Sequence, residues 1–238
     1  MLNNIASEKI MYIDIETVPE HPAFDHLDDT MKALWEKKSS KISGEDVTAE
    51  EAYVKAGIYA EFGKIVCISA GIIKPENGER TLRVKSFFGH DEKKLLQEFS
   101  AALTNFTSHP GTNICGHNVR EFDFPYIARR MLINGLQLPD ILDVAGKKPW
   151  EVKFIDTMDL WKFGDFKHYT SLNLLTHIMG IPSPKDDIDG SQVASVYYEE
   201  DDVERIARYC EKDVLATAQL FLRLKGEPLL KPENVVSV

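Results

Sequence analysis

The stretch "KIMYIDIETVPE", residues 9–20, decides the fold class of this chain. Its nearly continuous apolar run predicts a strand over residues 10–18 that is buried on both faces. Asp14 and Glu16 interrupt the run, and because side chains alternate along a strand, both point to the same face. Two carboxylates in a poorly solvated place repel each other unless a divalent cation lies between them. The solvent-exposed side of an edge strand explains the same pair without a metal.

Composition is that of an ordinary globular protein, with 238 residues, 43% of them hydrophobic and 28% charged. We expect one domain over residues 1–226, with residues 19–62 as a helical insertion after the first strand and 227–238 as a C-terminal tail. The net charge of −10 argues against a protein that coats nucleic acid by bulk attraction. It does not argue against an enzyme that handles a few nucleotides in a cleft.

Localisation and membrane contact are predicted from the cysteines and the apolar runs. Cys67, Cys115 and Cys210 each lie in an apolar context, which favours reduced, buried thiols and a cytoplasmic protein. The N-terminus lacks the basic and apolar regions of a signal peptide. The longest apolar run, at 65–73, is far shorter than the roughly 20 residues that span a bilayer, so we expect no membrane partner.

The order of the other predicted elements indicates the sheet type. Further strands are predicted at 64–73, 80–88, 112–118 and 153–156, and helices at 48–62, 91–106, 122–136, 171–180, 191–199 and 201–226. Three early strands joined by short turns, followed by strands that alternate with helices, predict an α/β fold. Its mixed five-stranded central sheet has three antiparallel and then parallel strands, with helices on both faces.

A third carboxylate follows the strand predicted at 112–118. In "GHNVREFDFPYI", residues 116–127, Asn118 ends the strand and Asp123 precedes a helix that has Pro125 in its first turn. Ligands of such sheets bind at the carboxyl ends of the strands, so both residues are candidates for a site. An acid favoured by the helix dipole is the alternative explanation for Asp123.

The last long helix carries a tyrosine and a fourth carboxylate. Tyr209 and Asp213 are four residues apart and therefore lie on the same side of that helix, at one edge of its apolar stripe. A tyrosine at the core boundary beside a solvated aspartate is the alternative. The pair is informative only together with the other acids.

Together these stretches resemble the DEDD superfamily of 3′→5′ exonucleases. The D-x-E motif of that family is matched by Asp14-Ile15-Glu16, its second motif by the run from Asn118 to Asp123, and its Y-x(3)-D motif by Tyr209 and Asp213. The histidine branch has His five residues before the last Asp, where this chain has Arg208, so the chain resembles the tyrosine branch. The fuller context is similar to the exonuclease domain of family B DNA polymerases, without a polymerase.

The resemblance implies a ribonuclease H-like fold and two divalent metal ions, Mg²⁺ or Mn²⁺. Their ligands would be Asp14, Glu16, Asp123 and Asp213. By the same resemblance, Tyr209 completes the catalytic set by orienting the attacking water. The residues expected to contact the 3′-terminal nucleotides are Ile15, Thr17, Asn118 and Phe122.

The reaction implied is stepwise release of nucleoside 5′-monophosphates from the 3′ end of a nucleic acid. Two metal ions can activate water and stabilise the leaving 3′-oxygen. A shallow cleft admits a single strand more readily than a duplex, so single-stranded DNA is the first expectation, and RNA stays open. Lys162, Lys167 and Lys185 are candidates for backbone contacts, and solvated surface lysines are the alternative.

Three other classes compete with this interpretation. A haloacid-dehalogenase-type phosphatase would have D-x-D at the strand end, whereas this chain has Glu16. A non-catalytic module of the same fold that binds nucleic acid or a polymerase usually lacks one of the acids, and all four are present here. A purely structural α/β module would leave the three acidic motifs as coincidence.

Overall fold

The computed structural model describes residues 2–44, 46–76, 78–152, 154–165, 169–182 and 188–238. The strands in this part of the chain are β1 (Ile10–Pro19), β2 (Gly63–Glu76), β3 (Glu79–Phe88), β4 (Asn113–Gly116), β5 (Ile155–Asp156) and β6 (Val235–Ser237). The α-helices are α1 (Asp29–Ile42), α2 (Ala49–Ala52), α3 (Glu92–Thr107), α4 (Asp123–Ile133), α5 (Thr157–Lys162), α6 (Leu172–Ile178), α7 (Val193–Ser195) and α8 (Val203–Lys225). A π-helical turn, Val196–Glu200, follows α7 directly.

The strands form one mixed sheet in the order β5-β4-β1-β2-β3-β6. The meander β1-β2-β3 is antiparallel, and the other three strands add in parallel at its two sides. The interior position of β1 explains its apolar run, since both of its edges are paired and both of its faces are covered. The register between β1 and β2 shifts at Glu16/Thr17, which marks an irregularity next to the predicted acids.

Helices cover the two faces of the sheet. One face packs against α3 and α4 through Ile13, Ile68, Leu96 and Phe99, which are almost fully buried. The other face packs against α8, which is 23 residues long. The side chain of Asp202 accepts a hydrogen bond from the Arg205 N–H and caps the start of α8, as short acidic side chains often do. Buried residues of α8 pack against residues of β1, β2 and β3.

The predicted α/β fold class is confirmed, and the predicted number of strands is one too few. The sixth strand is β6, whose residues from Val235 to Ser237 pair in parallel with Leu82 to Val84 of β3. Three residues are too few for a period-two pattern to emerge, because such patterns need about four to eight residues. This strand lies within the segment that we expected to be a tail.

The helix predicted over 48–62 is only partly α-helical. Its start is as expected, because Thr48 and Glu51 form a reciprocal capping box at the beginning of α2. After Ala52 the chain continues as a 3₁₀ helix from Tyr53 to Ile58. None of the helices in the described part of the chain has the length and apolar character that crossing a bilayer requires.

Candidate active site

Strand β1 presents Asp14 and Glu16 to the face of the sheet that α8 covers. Ile10, Tyr12 and Val18 occupy the same face and pack beneath α8 and its neighbours. The edge-strand explanation is therefore wrong, since β1 lies between β2 and β4. Pairing with β4 extends only from Ile10 to Tyr12, so the two acids lie just beyond the point where β4 leaves β1.

Asp123 joins this place from the start of α4. Asp123 is 4% exposed, and the nearby backbone N–H groups of Asp123 itself and of Ile15 act to lower the pKa of its carboxyl. Ile15 lies between Asp14 and Glu16 in sequence. The start of α4 therefore lies beside the part of β1 that carries the acids.

Helix α8 supplies the fourth carboxylate. The charge of Asp213 is the strongest neighbouring influence on both Asp14 and Glu16. Tyr209, one turn earlier on α8, is partly buried against the cluster formed by Val18, Val203 and Ile206. The four predicted carboxylates therefore converge from three distant parts of the chain.

Burial and mutual repulsion act on these acids in the same direction. Loss of solvent, then the charges of Asp213 and the other carboxylates, raise the pKa of Asp14 and of Glu16 well above the ordinary range. Burial raises the pKa of Asp123 to about 7, although the backbone N–H groups of Asp123 and Ile15 oppose the shift. These three carboxyl groups are therefore more stable when protonated or bound to a cation than as carboxylates without a counter-ion.

Cys210 is a neighbour that sequence reasoning missed. Its Sγ lies 3.4 Å from Asp14 Oδ2 and 3.4 Å from the Asp14 carbonyl oxygen, so the thiol donates to Asp14. The donor atoms of Asp14, Glu16 and Cys210 lie within 4.8 Å of one another. Burial raises the pKa of the thiol well above its ordinary value. A protonated thiol is not a ligand, so the donor set is carboxylate oxygen, which fits Mg²⁺ or Mn²⁺.

The turn after β4 is held by Asp156, which sequence reasoning also missed as a site residue. Its carboxylate accepts hydrogen bonds from the N–H groups of Asn118 at 3.0 Å, Arg120 at 3.1 Å and Met158 at 2.9 Å. Asn118 has the left-handed φ of 62°, and its side-chain Oδ1 is buried without a hydrogen-bond partner among the described residues. Asp156 therefore positions the turn that leads to Asp123.

The remaining predicted residues are distributed as follows. Ile15, Thr17 and Phe122 line a cavity of about 510 Å³ beside Glu16. Lys162 Nζ lies 3.1 Å from Asp159 Oδ1, and this hydrogen bond raises its pKa. Lys167 and Lys185 lie outside the described residues.

The comparison with protein families decides the membership of the chain. Residues 58–227 match the model of a family described as predicted 3′-5′ exonucleases related to the exonuclease domain of PolB. The chain belongs to this family. The predicted resemblance to 3′→5′ exonucleases is thus confirmed. Asp14 and Glu16 precede the matched residues, so their assignment rests on the geometry of β1.

The comparisons with curated proteins and with solved structures add no family assignment. No curated protein matches the chain. Among solved structures, the RNase domain of the yeast Pop2 protein is similar at 12% identity, with 99% of this chain and 84% of that chain covered and a TM-score of 0.44.

Proposed function

We propose that this protein is a metal-dependent 3′→5′ exonuclease that releases nucleoside 5′-monophosphates from single-stranded DNA. One observation carries the proposal: Asp14, Glu16, Asp123 and Asp213 come together in a place of low solvation. Burial and then the charge of Asp213 raise the pKa of Asp14 and Glu16, and burial raises the pKa of Asp123. Such an arrangement is unfavourable to folding in itself. The chain belongs to a family related to polymerase exonuclease domains, and nuclease activity is the most direct explanation for these clustered acids.

The four carboxylates are the proposed ligands of two divalent ions. When bound, the ions would supply an activated water and neutralise the leaving 3′-oxygen. The protein's part is to hold the oxygens in place. The thiol of Cys210, which donates to Asp14 Oδ2, does this for one of the four carboxylates.

Tyr209 is proposed to orient the attacking water. It lies one helical turn before Asp213 on α8, so its side chain is on the same side of the helix as the carboxylate. A neutral phenol can donate to or accept from water without acting as a strong base. This role depends on where the Tyr209 hydroxyl lies and does not require a shifted pKa.

The 3′-terminal nucleotide is proposed to enter the cavity beside Glu16. Ile15, Thr17 and Phe122 line it, and Phe122 offers a ring on which any base can stack. The unpartnered Oδ1 of Asn118 would accept from a base N–H. DNA is favoured over RNA because no described group is assigned to a 2′-hydroxyl.

The test is direct. A 5′-labelled single-stranded DNA and the matching RNA are incubated with Mn²⁺, Mg²⁺ or chelator, using wild type, Asp14→Asn and Asp213→Asn. We expect a metal-dependent ladder that shortens from the 3′ end, at least about 100-fold weaker in both variants. Glu121→Gln is the matched control, because Glu121 is exposed and only two residues from Asp123.

Two outcomes would change the proposal. Wild-type protein that leaves both substrates intact with every metal would contradict catalysis and favour a binding module of the same fold. Faster shortening of RNA than of DNA would contradict the proposed substrate while leaving the chemistry in place.

A further inference from the structure

The cavity beside Glu16 has a second wall that no catalytic motif provides. Val54, Lys55 and Ile58, from the 3₁₀ helix Tyr53–Ile58, line the same 510 Å³ space as Phe122. These residues belong to the insertion between the first two strands. The insertion therefore reaches the site.

This wall is fixed against β1 by a close backbone approach. A Cβ added to Gly57 would lie only 3.0 Å from the backbone nitrogen of Pro19, so a side chain here would push the 3₁₀ helix a few tenths of an ångström away from β1. The hydroxyl of Tyr126 on α4 donates to the carbonyl oxygen of Gly57 at 2.7 Å. Both contacts hold the wall at the end of the strand that carries Asp14 and Glu16.

A small core supports the wall from behind. Trp35, Tyr53, Ala56 and Phe62 are buried together, with the Trp35 ring 5.6 Å from that of Tyr53. The indole N–H of Trp35 donates to the carbonyl oxygen of Ala49 at 2.8 Å. The wall is therefore a packed unit, and this packing determines which of its side chains point into the small core and which point away from it.

Two aliphatic side chains of this unit point away from its core. Val54 is 68% exposed and Ile58 is 53% exposed, while Tyr53 and Ala56 between and beside them are buried. Scattered exposed aliphatic residues are normal on protein surfaces. These two lie on the same packed support and line one cavity together with Phe122.

We propose that Val54 and Ile58 form an apolar ledge that, together with Phe122, holds the nucleobase of an unpaired 3′-terminal nucleotide. This proposal rests on the proposed function and adds to it the residues that select the substrate. A base inside a duplex is stacked and paired, so it must leave both contacts before it can enter. Apolar contact and stacking are open to every base, so the ledge selects for an unpaired end and not for sequence.

The test compares Val54→Ala/Ile58→Ala with wild type on two duplexes that have the same sequence and differ only in a paired or a mismatched 3′ end. We expect KM for the mismatched end to rise about tenfold and kcat to change less than about twofold, since lost base contacts weaken binding without moving the carboxylates. The preference for the mismatched end over the paired end should fall. The swapped variant Val54→Ile/Ile58→Val keeps the apolar surface and should behave as wild type.

Leu34→Ala is the matched control, because Leu34 is a 50% exposed aliphatic residue of α1 in the same insertion and does not line the cavity.

A second measurement does not require catalysis. In fluorescence anisotropy with chelator present, the double variant should bind a single-stranded oligonucleotide about tenfold more weakly than wild type. Wild-type binding without cleavage would contradict the proposed function and leave the ledge standing. Equal KM, end preference and oligonucleotide affinity in wild type, the double variant and Leu34→Ala would overturn the ledge.

Discussion

At the scale of single residues, Asp14 and Glu16 occupy positions on β1 that packing alone would give to apolar side chains. Their neighbours on the same face, Ile10, Tyr12 and Val18, are fully buried. An acid in such a position is retained for a reason other than stability, because a buried charge without a counter-ion opposes folding. Carboxylates brought together in this way are typical of functional sites.

Asp156 gives a prediction at this scale. Asp156→Ala removes the acceptor for three backbone N–H groups and leaves them without a partner in a buried place. We expect the free energy of unfolding to fall by about 2–4 kcal/mol in urea titrations, since hydrogen bonds to charged groups contribute about 1.5–3 kcal/mol each and are not additive. Asp156→Asn keeps one acceptor oxygen and should lie between alanine and wild type.

The control for this prediction is Asp140→Ala, which removes an exposed aspartate in the segment after α4. Equal stability of Asp156→Ala and Asp140→Ala would contradict the positioning role. If the proposed function holds, Asp156→Ala should also shorten DNA more slowly at saturating metal, because the turn that leads to Asp123 is loosened.

The four carboxylates were accessible to sequence reasoning because each lies in a motif with its own spacing. Asp156 and Cys210 were not. Asp156 ends a two-residue strand and caps α5, which is an ordinary use of aspartate and carries no distinguishing pattern. Cys210 lies on the apolar stripe of α8, and only the three-dimensional structure places its thiol beside Asp14.

At the scale of elements, one buried ion-pair network joins the insertion to the rest of the fold. Arg130 on α4 contacts both carboxylate oxygens of Glu92 on α3, at 2.8 and 2.5 Å. It also donates to Glu20 at 2.9 Å and to the carbonyl oxygen of Ala60 at 3.0 Å. Two helices, the end of β1 and the insertion therefore meet at a single guanidinium group.

Removing that group gives the second prediction. Arg130→Met should lower the free energy of unfolding by about 3–5 kcal/mol, because it leaves the Glu92 carboxylate buried without its counter-ion. Arg130→Lys keeps the charge but loses the two-pronged contact, and should fall between the two. Urea unfolding monitored by tryptophan fluorescence measures both.

Arg129→Met is the matched control, since Arg129 is the exposed neighbour on the same helix and its replacement should change stability by less than about 0.5 kcal/mol. Indistinguishable midpoints for Arg130→Met and Arg129→Met would show that the network contributes little.

The elements themselves were largely predictable, and the exceptions have physical causes. Helix caps and apolar stripes located α3, α4 and α8 within a few residues. The predicted helix at 48–62 turns into a 3₁₀ helix where Gly57 approaches β1, a tertiary contact that local propensity cannot reveal. The three-residue strand β6 exists only because the edge of β3 is available to pair with it.

At the scale of the whole molecule, the site and the overall charge affect stability in the same direction. The chain has 38 acidic and 28 basic side chains, for a net charge of −10. Above the pI of about 5.2, raising the pH increases the general repulsion, and it also ionises the clustered acids. Without metal, the protein should therefore become less stable as the pH rises from the pI to neutral.

This gives the third prediction, with a definite sign. A carboxyl whose pKa is raised in the folded state binds more protons there than in the unfolded chain, so its ionisation destabilises the fold as pH rises. For Asp123 the window runs from about 4, the ordinary value, to about 7. Urea unfolding in chelator should show a free energy that falls across this window, by up to about 1.4 kcal/mol per pH unit for each such group.

Two comparisons separate the cluster from the general charge. Asp123→Asn cannot ionise, so its free energy of unfolding should fall less steeply between pH 4 and 7 than that of wild type, while Glu121→Gln should keep the wild-type slope. Mn²⁺ competes with protons for the same oxygens, so its stabilising effect on wild type should grow as pH rises. Parallel curves for wild type and Asp123→Asn, with no added stability from Mn²⁺ at pH 7.5, would mean that the acids are neither strained by their proximity nor suited to a metal.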